Sequence, residues 1–173
     1  MAYNKERVTV KDTRFIFRTN FRGERTQYNN RGDREFNIEL PDDLAKDLEG
    51  RGWNVKWREP REEGDAPIAH IAVRVNFESA YPPRVWLINA DTGSRTMMDE
   101  DTIGQIDHLL PDEITSVNVI MNPSHWENNN GSGIKAYCQS MQVYFIPDPF
   151  EAEYEAKYGS NAPSAGVDDV PFD

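Results

Sequence analysis

The chain has 173 residues, one cysteine and a net charge of -11. That length suits one domain with a real core, a lone Cys138 excludes an internal disulfide, and the overall charge argues against a polyanion partner. No apolar run is long enough to span a bilayer, and the polar start Met1-Ala2-Tyr3-Asn4-Lys5-Glu6 lacks the marks of a secretory signal, so a cytoplasmic protein with no membrane partner is expected.

Taken in chain order, residues 7–21 read as strand: Val8 and Val10 alternate with Arg7, Thr9 and Lys11, then Phe15 and Phe17 with Arg14, Ile16 and Arg18. Residues 22–34 form a polar loop with two glycines and the arginines Arg22, Arg25, Arg31 and Arg34. Phe36, Ile38 and Leu40 then alternate with Asn37 and Glu39 as a half-buried strand. Pro41 opens a short helix, with Asp42 and Asp43 at its positive end and Leu44 and Leu48 on one face.

Trp53, Val55 and Trp57 share one face of the next strand, and residues 59–67 are a charged loop. The clearest strand places Ala69, Ile71, Val73, Val75 and Phe77 on one face and His70, Ala72, Arg74 and Asn76 on the other. Pro82-Pro83 breaks the pattern, which residues 85–88 resume. Asp99 is placed to cap a helix carrying Ile103, Ile106 and Leu110, which Pro111 ends.

Val117, Val119 and Met121 form a strand, and residues 128–133 a turn. In the last strand the apolar phase changes from Ile134, Ala136 and Cys138 to Met141, Val143 and Phe145. One extra residue near Gln139-Ser140, a β-bulge, would keep both halves facing the core, and bent strands of this kind are what small barrels need.

The fold expected is mainly β with short helices. From about Trp53 onward the order strand, strand, strand, helix, strand, strand matches the oligonucleotide/oligosaccharide-binding barrel, or OB-fold, with the 103–110 helix plugging one end. The N-terminal residues would add strands and a long basic loop. A single domain over 1–158 and a flexible acidic tail over 159–173 follow.

Charge is distributed unevenly. Residues 1–34 hold nine Lys/Arg against four Asp/Glu, and residues 148–173 hold one Lys against seven Asp/Glu. A basic head and an acidic tail are the pattern of a nucleic-acid binder, because local charge sets the binding field.

Several segments together resemble the tailed-bacteriophage family of OB-fold single-stranded DNA-binding proteins. They are Asn30-Arg31-Gly32-Asp33-Arg34-Glu35-Phe36, Gly52-Trp53-Asn54-Val55-Lys56 through Pro60-Arg61, and Val75-Asn76-Phe77 followed by Pro82-Pro83. Asn122-Pro123 then Trp126, and Gly133-Ile134-Lys135-Ala136-Tyr137, complete the set. The resemblance covers roughly residues 14–158. Cys138 and Ser124-His125 depart from the family pattern. What it implies is sequence-tolerant binding of single-stranded DNA in phage replication or recombination, in the cytoplasm of the bacterial host.

Such binding needs cations that follow the phosphates and rings that stack on bases. The nucleic-acid-binding set expected here is Arg18, Arg22, Arg25, Tyr28, Arg31, Arg34, Trp53, Lys56, Trp57, Arg74, Trp86, Lys135 and Tyr137. Arg14, Arg58 and Trp126 are further candidates of the same kind. Tyr137 and Lys135 lie opposite Ile134, Ala136 and Cys138 and so project from the core together. Trp53 and Trp57 share the Val55 face, which suits a core as well as a platform.

Catalysis finds little support. His70, His108 and His125 are scattered, Cys138 has no partner at metal-ligand spacing, and no phosphate-cradling glycine loop is present. No enzyme, cofactor or metal is expected.

The segment 159–173 is rich in Gly, Ser, Asn, Ala and Pro and ends Val167-Asp168-Asp169-Val170-Pro171-Phe172-Asp173. Its tip resembles the acidic C-terminal tips of bacterial single-stranded DNA-binding proteins, except that Asp173 follows Phe172. The resemblance implies that Asp168, Asp169, Pro171 and Phe172 dock on a replication or recombination protein. A homo-oligomer is compatible with the sequence. The competing reading is an acidic interaction protein, such as a DNA mimic that inhibits a host DNA-processing enzyme; the basic 14–34 region speaks against it.

Overall fold

The computed structural model describes residues 6–60 and 62–147. The expected tail, including Asp168, Asp169, Pro171 and Phe172, lies outside the described residues. Within them, nine strands form one sheet: β1 (Val8–Thr13), β2 (Phe15–Asn20), β3 (Arg34–Leu40), β4 (Val55–Arg58), β5 (Ile68–Val75), β6 (Arg84–Asn89), β7 (Arg95–Met98), β8 (Ile114–Asn128) and β9 (Gly131–Phe145). The α-helix is α1 (Asp42–Gly50), and two 3₁₀ helices are η1 (Ile103–His108) and η2 (Pro111–Glu113).

The hydrogen-bonded path runs β1-β8-β9-β5-β3-β2. It is not a closed ring of ladders: it starts on β1 and finishes on β2. These two strands are separated by Arg14 alone, so one bent N-terminal segment pairs with β8 by its first half and with β3 by its second. The corner has a physical cause. Asp12 takes φ +54°, the register shifts between Val10 and Thr13, and Thr13 Oγ1 donates to the Glu39 carbonyl at 2.5 Å. With β5 parallel to β9, this gives an OB-like arrangement. The N-terminal strands are built into the same sheet as the rest.

The core follows the expected alternation. Phe36, Ile38, Leu40, Ala69, Ile71, Val73, Val75, Val117, Val119 and Met121 are all buried. The bulge in β9 falls where the phase change puts it: Ile120 pairs with Ser140 and Met121 with Cys138, so Gln139 is the extra residue, and Cys138 and Met141 both stay inside. Burial pushes the Cys138 thiol up to about 12.

Four elements differ from the sequence reading. The helix expected over 103–110 is a 3₁₀ helix over Ile103–His108 that buries Ile103 and Ile106; Leu109, extended after it, packs on the core and Leu110 is exposed. Asp99 is not its N-cap: Thr102 holds that position without a side-chain cap, and Asp99 instead accepts from the backbone N–H of Asp101 and Thr102 in the turn before the helix. The strand expected over 7–21 is two strands, and within the second the face reverses: Ile16 is buried and Phe17 is exposed at φ +65°. Strand β7 carries no alternation signal, being four residues with only Met98 buried. The strand expected over 117–121 runs on as β8 to Asn128, through Pro123, and pairs with β9 along its length. His70, on the expected outer face, is also buried, because Phe17 stacks edge-on against it at 4.9 Å.

Candidate nucleic-acid interface

The outer face of β3 and β5 lies between the basic loop and the β8–β9 hairpin, and there the structure gathers Arg74, Lys135, Tyr137 and Lys56. Arg74 is the ladder neighbour of Tyr137 on one side and of Glu35 on the other. Lys135 is two residues before Tyr137, hence on the same face. Lys56 sits beside His70 on the same edge of β5, four residues or about 13 Å from the Tyr137 position. The Arg74 guanidinium pairs with Asp33 at 3.1 Å and Glu35 at 3.2 Å, both on the β3 side of β5. Lys56, Arg58 and Lys135 have no carboxylate partner among the described residues.

The loop from Arg22 to Asp33 is folded into a finger by two asparagines. Asn20 Nδ2 donates to the carbonyls of Glu24 and Asp33, and Asn29 Nδ2 donates to the same two oxygens. At the neck Gly23 and Gly32 pass so closely that a Cβ on Gly23 would lie 2.7 Å from the Gly32 oxygen, and both take positive φ. Asp107 on η1 anchors the loop's start, accepting from Thr19 Oγ1 at 2.7 Å and from the backbone N–H of Phe21 and Arg22 at 2.8 and 2.9 Å.

This finger sorts its arginines. Arg34 points inward, donating to the Phe21 carbonyl at 2.6 Å and stacking 5.5 Å from the Phe77 ring centre. Arg22 pairs with Glu24 at 2.8 Å; that hydrogen bond, then the charge, raises the arginine pKa and lowers the glutamate's. Arg18 lies 3.8 Å from the same glutamate. Arg25 and Arg31 are exposed, and Tyr28 at the tip is 90 % exposed.

The remaining candidates separate. Trp53 is 4 % exposed and packed in the core, bridged to Ile134, so its ring is not at the surface. Trp57 is half-buried against the same core, its Nε1 donating to Glu49 Oε1 at 3.3 Å. Trp86 lies beside Gln142 on β9, five residues along from Tyr137, under the Arg95 guanidinium at 5.1 Å. It is not brought to the Arg74–Tyr137 group.

Two aromatics do belong near it. Trp126 is 38 % exposed on the hairpin, its indole lying where a side chain on Gly133 would stand. Phe17, read from alternation as part of an apolar strand face, is 52 % exposed, and Arg58 lies 5.3 Å over its ring. Only its left-handed backbone turns it outward, a feature that residue type gives no hint of.

The described residues hold no group of three or more His, Cys, Asp or Glu placed to bind a metal ion, and no helix long and apolar enough to cross a membrane.

Comparison with known proteins bears on this arrangement. No curated protein sequence matches the chain. Among solved structures, the single-stranded DNA-binding protein of bacteriophage Enc34, C-terminally truncated, is 13 % identical with a TM-score of 0.50, over 83 % of this chain and 88 % of that one. This is a likeness of fold. The same phage protein in complex with single-stranded DNA gives a TM-score of 0.49 at 13 % identity, over 83 % of this chain and 89 % of that one. The gp2.5 single-stranded DNA-binding protein of bacteriophage T7 gives 0.41 at 11 % identity, over 86 % and 97 %. Residues 1–169 match the family described as "Putative phage ssDNA-binding domain", and the chain belongs to that family of phage single-stranded DNA-binding domains.

Proposed function

We propose that the protein coats single-stranded DNA with little regard to sequence, protecting it during phage replication or recombination in the host cytoplasm. The observation that carries this reading is the Arg74–Tyr137 pair on the outer face of β5 and β9. Arg74, held by Asp33 and Glu35, and Tyr137 are ladder neighbours there, between the arginine finger and two lysines with no carboxylate partner among the described residues. Stacking on a ring is indifferent to base identity, and phosphate pairing is the same for every nucleotide. The strand is taken to cross β5 from the finger toward the hairpin. The set proposed to contact it is Arg25, Tyr28, Arg31, Lys56, Arg74, Lys135 and Tyr137, with Arg18 and Arg22 at the finger's base.

The acidic segment 159–173 is proposed as a separate docking element for a replication or recombination protein, through Asp168, Asp169, Pro171 and Phe172. Its charge also complements the arginine finger, so its removal is expected to leave DNA affinity equal or higher, with a gain that shrinks in high salt.

A gel shift with a single-stranded oligonucleotide, a duplex competitor and several salt concentrations tests the reading. Single strands should win over duplex, and log affinity should fall with log salt at about -0.7 per phosphate contacted. Equal binding of duplex, or none of either at low salt, refutes it. A pull-down comparing full-length and tail-less protein tests the docking element.

A further inference from the structure

Phe17 is held in a conformation that its own residue type disfavours. At φ +65° a bulky side chain meets its backbone, and alternation would have turned the ring toward the core beside Phe15. Instead the ring stands 52 % exposed, edge-on to His70 at 4.9 Å and under Arg58 at 5.3 Å. It forms the wall of a cleft of about 700 Å³ between β2 and the η1–η2 connection. The cleft is floored by Ile106 and Leu109, and Arg14, Arg18 and Arg58 line its rim.

We infer that this cleft is an additional nucleotide subsite, in which one base of the bound single strand stacks on Phe17 while its phosphates meet Arg18 and Arg58. The inference rests on the single-stranded DNA reading above and extends the strand's path across β3 to β2. Three observations point to a nucleotide as the occupant. The rim is cationic and the floor apolar, which complements a flat ring carrying an anionic backbone. The volume lies in the range of small-molecule sites. The cleft is continuous with the β5 face, since Phe17 touches His70 and Arg58 extends from β4.

The polar groups inside the cleft are already engaged. Thr19 donates to Asp107, Asp107 also holds two backbone N–H groups, and Thr115 donates to the Tyr144 carbonyl. With the threonines and Asp107 taken and the rim arginines assigned to phosphate, the subsite should discriminate little among the four bases.

The test is Phe17→Gly. Glycine accepts φ +65° freely, so relief of backbone strain offsets part of the lost ring contacts and this variant should remain folded, as a urea melt checks. If a base stacks there, affinity for a long oligonucleotide should fall about 5- to 150-fold, the loss of one stacked base. Photo-cross-linking with 5-iodo-deoxyuridine oligonucleotides should map to a peptide containing Phe17. Wild-type affinity in a folded Phe17→Gly, with no cross-link to that peptide, overturns the subsite. If Tyr137→Ala still weakens binding in that case, the main reading survives. A wild-type protein that binds no single-stranded oligonucleotide overturns both.

Discussion

Tyr137 and Trp86 look alike from their own strands and differ in what stands beside them. Both are half-buried rings on the outer surface of the sheet, and each has an arginine close by. Tyr137 lies where β9 meets β5, so Arg74 enters its ladder row and the finger and lysines lie around it. Trp86 lies where β9 meets β6, away from the finger and those lysines, with the Arg95 guanidinium 5.1 Å from its ring centre. A platform needs cations along the strand's path as well as a ring, and the two sites divide on that point.

The largest expected effect breaks or sustains that contrast directly. Tyr137→Ala should weaken single-stranded DNA binding by roughly 1–3 kcal/mol, whereas Trp86→Ala should change affinity less than about twofold. Titrating a fluorescent oligonucleotide against each variant at one salt concentration measures both. Equal losses would mean that the strand passes over β6 as well.

The same contrast exists within the finger, between inward Arg34 and outward Arg25 and Arg31. Arg34→Ala removes a charged donor from the Phe21 carbonyl and should cost about 1.5–3 kcal/mol of folding stability, read by urea denaturation. Arg25→Ala and Arg31→Ala should leave stability within about 0.5 kcal/mol. Their effect belongs in the salt dependence, with the slope falling by about 0.7 for each phosphate that is no longer neutralised. A destabilised Arg25→Ala would show that the finger depends on its outer arginines for its shape.

The smallest effect concerns His70, beneath Phe17. Burial first, then the charges of Lys56 and Arg58, lower its pKa below the ordinary 6.5. A neutral folded-state histidine costs nothing above pH 6.5. As pH falls below that value the unfolded chain takes up the proton first, so the folded state loses stability down to the depressed folded pKa. Wild type should therefore lose stability on acidification from about pH 7, and His70→Gln should lose less over the same interval. Parallel curves for the two proteins would place the acid sensitivity elsewhere.

Much of this was legible in the residues. Alternation in Phe36-Asn37-Ile38-Glu39-Leu40 and in the 69–77 segment places the core, because a strand's side chains alternate with period two whatever lies beside it. The phase change around Gln139 gives the bulge for the same reason, since both halves of β9 must face one core. The glycines and arginines of 22–34 announce a basic loop. Trp53 shows the limit of this reasoning: its face was readable, but whether that face met solvent depended on α1 and β9 closing over it.

Local geometry and charge thus settle the core-facing residues of β3, β5 and β9, the position of the bulge and the basic character of the loop, and these are written in the residues themselves. Which outward residues became neighbours was settled only when distant segments came together. Arg74 meets Tyr137 through the parallel pairing of β5 with β9, which neither strand's own pattern encodes. Packing likewise selected which arginines stayed free, because Asn20, Asn29 and Asp107 fold the finger so that Arg34 turns in and Arg25 and Arg31 turn out. And packing turned Phe17 outward, since a left-handed φ in a strand is imposed by its surroundings and leaves no trace in residue type.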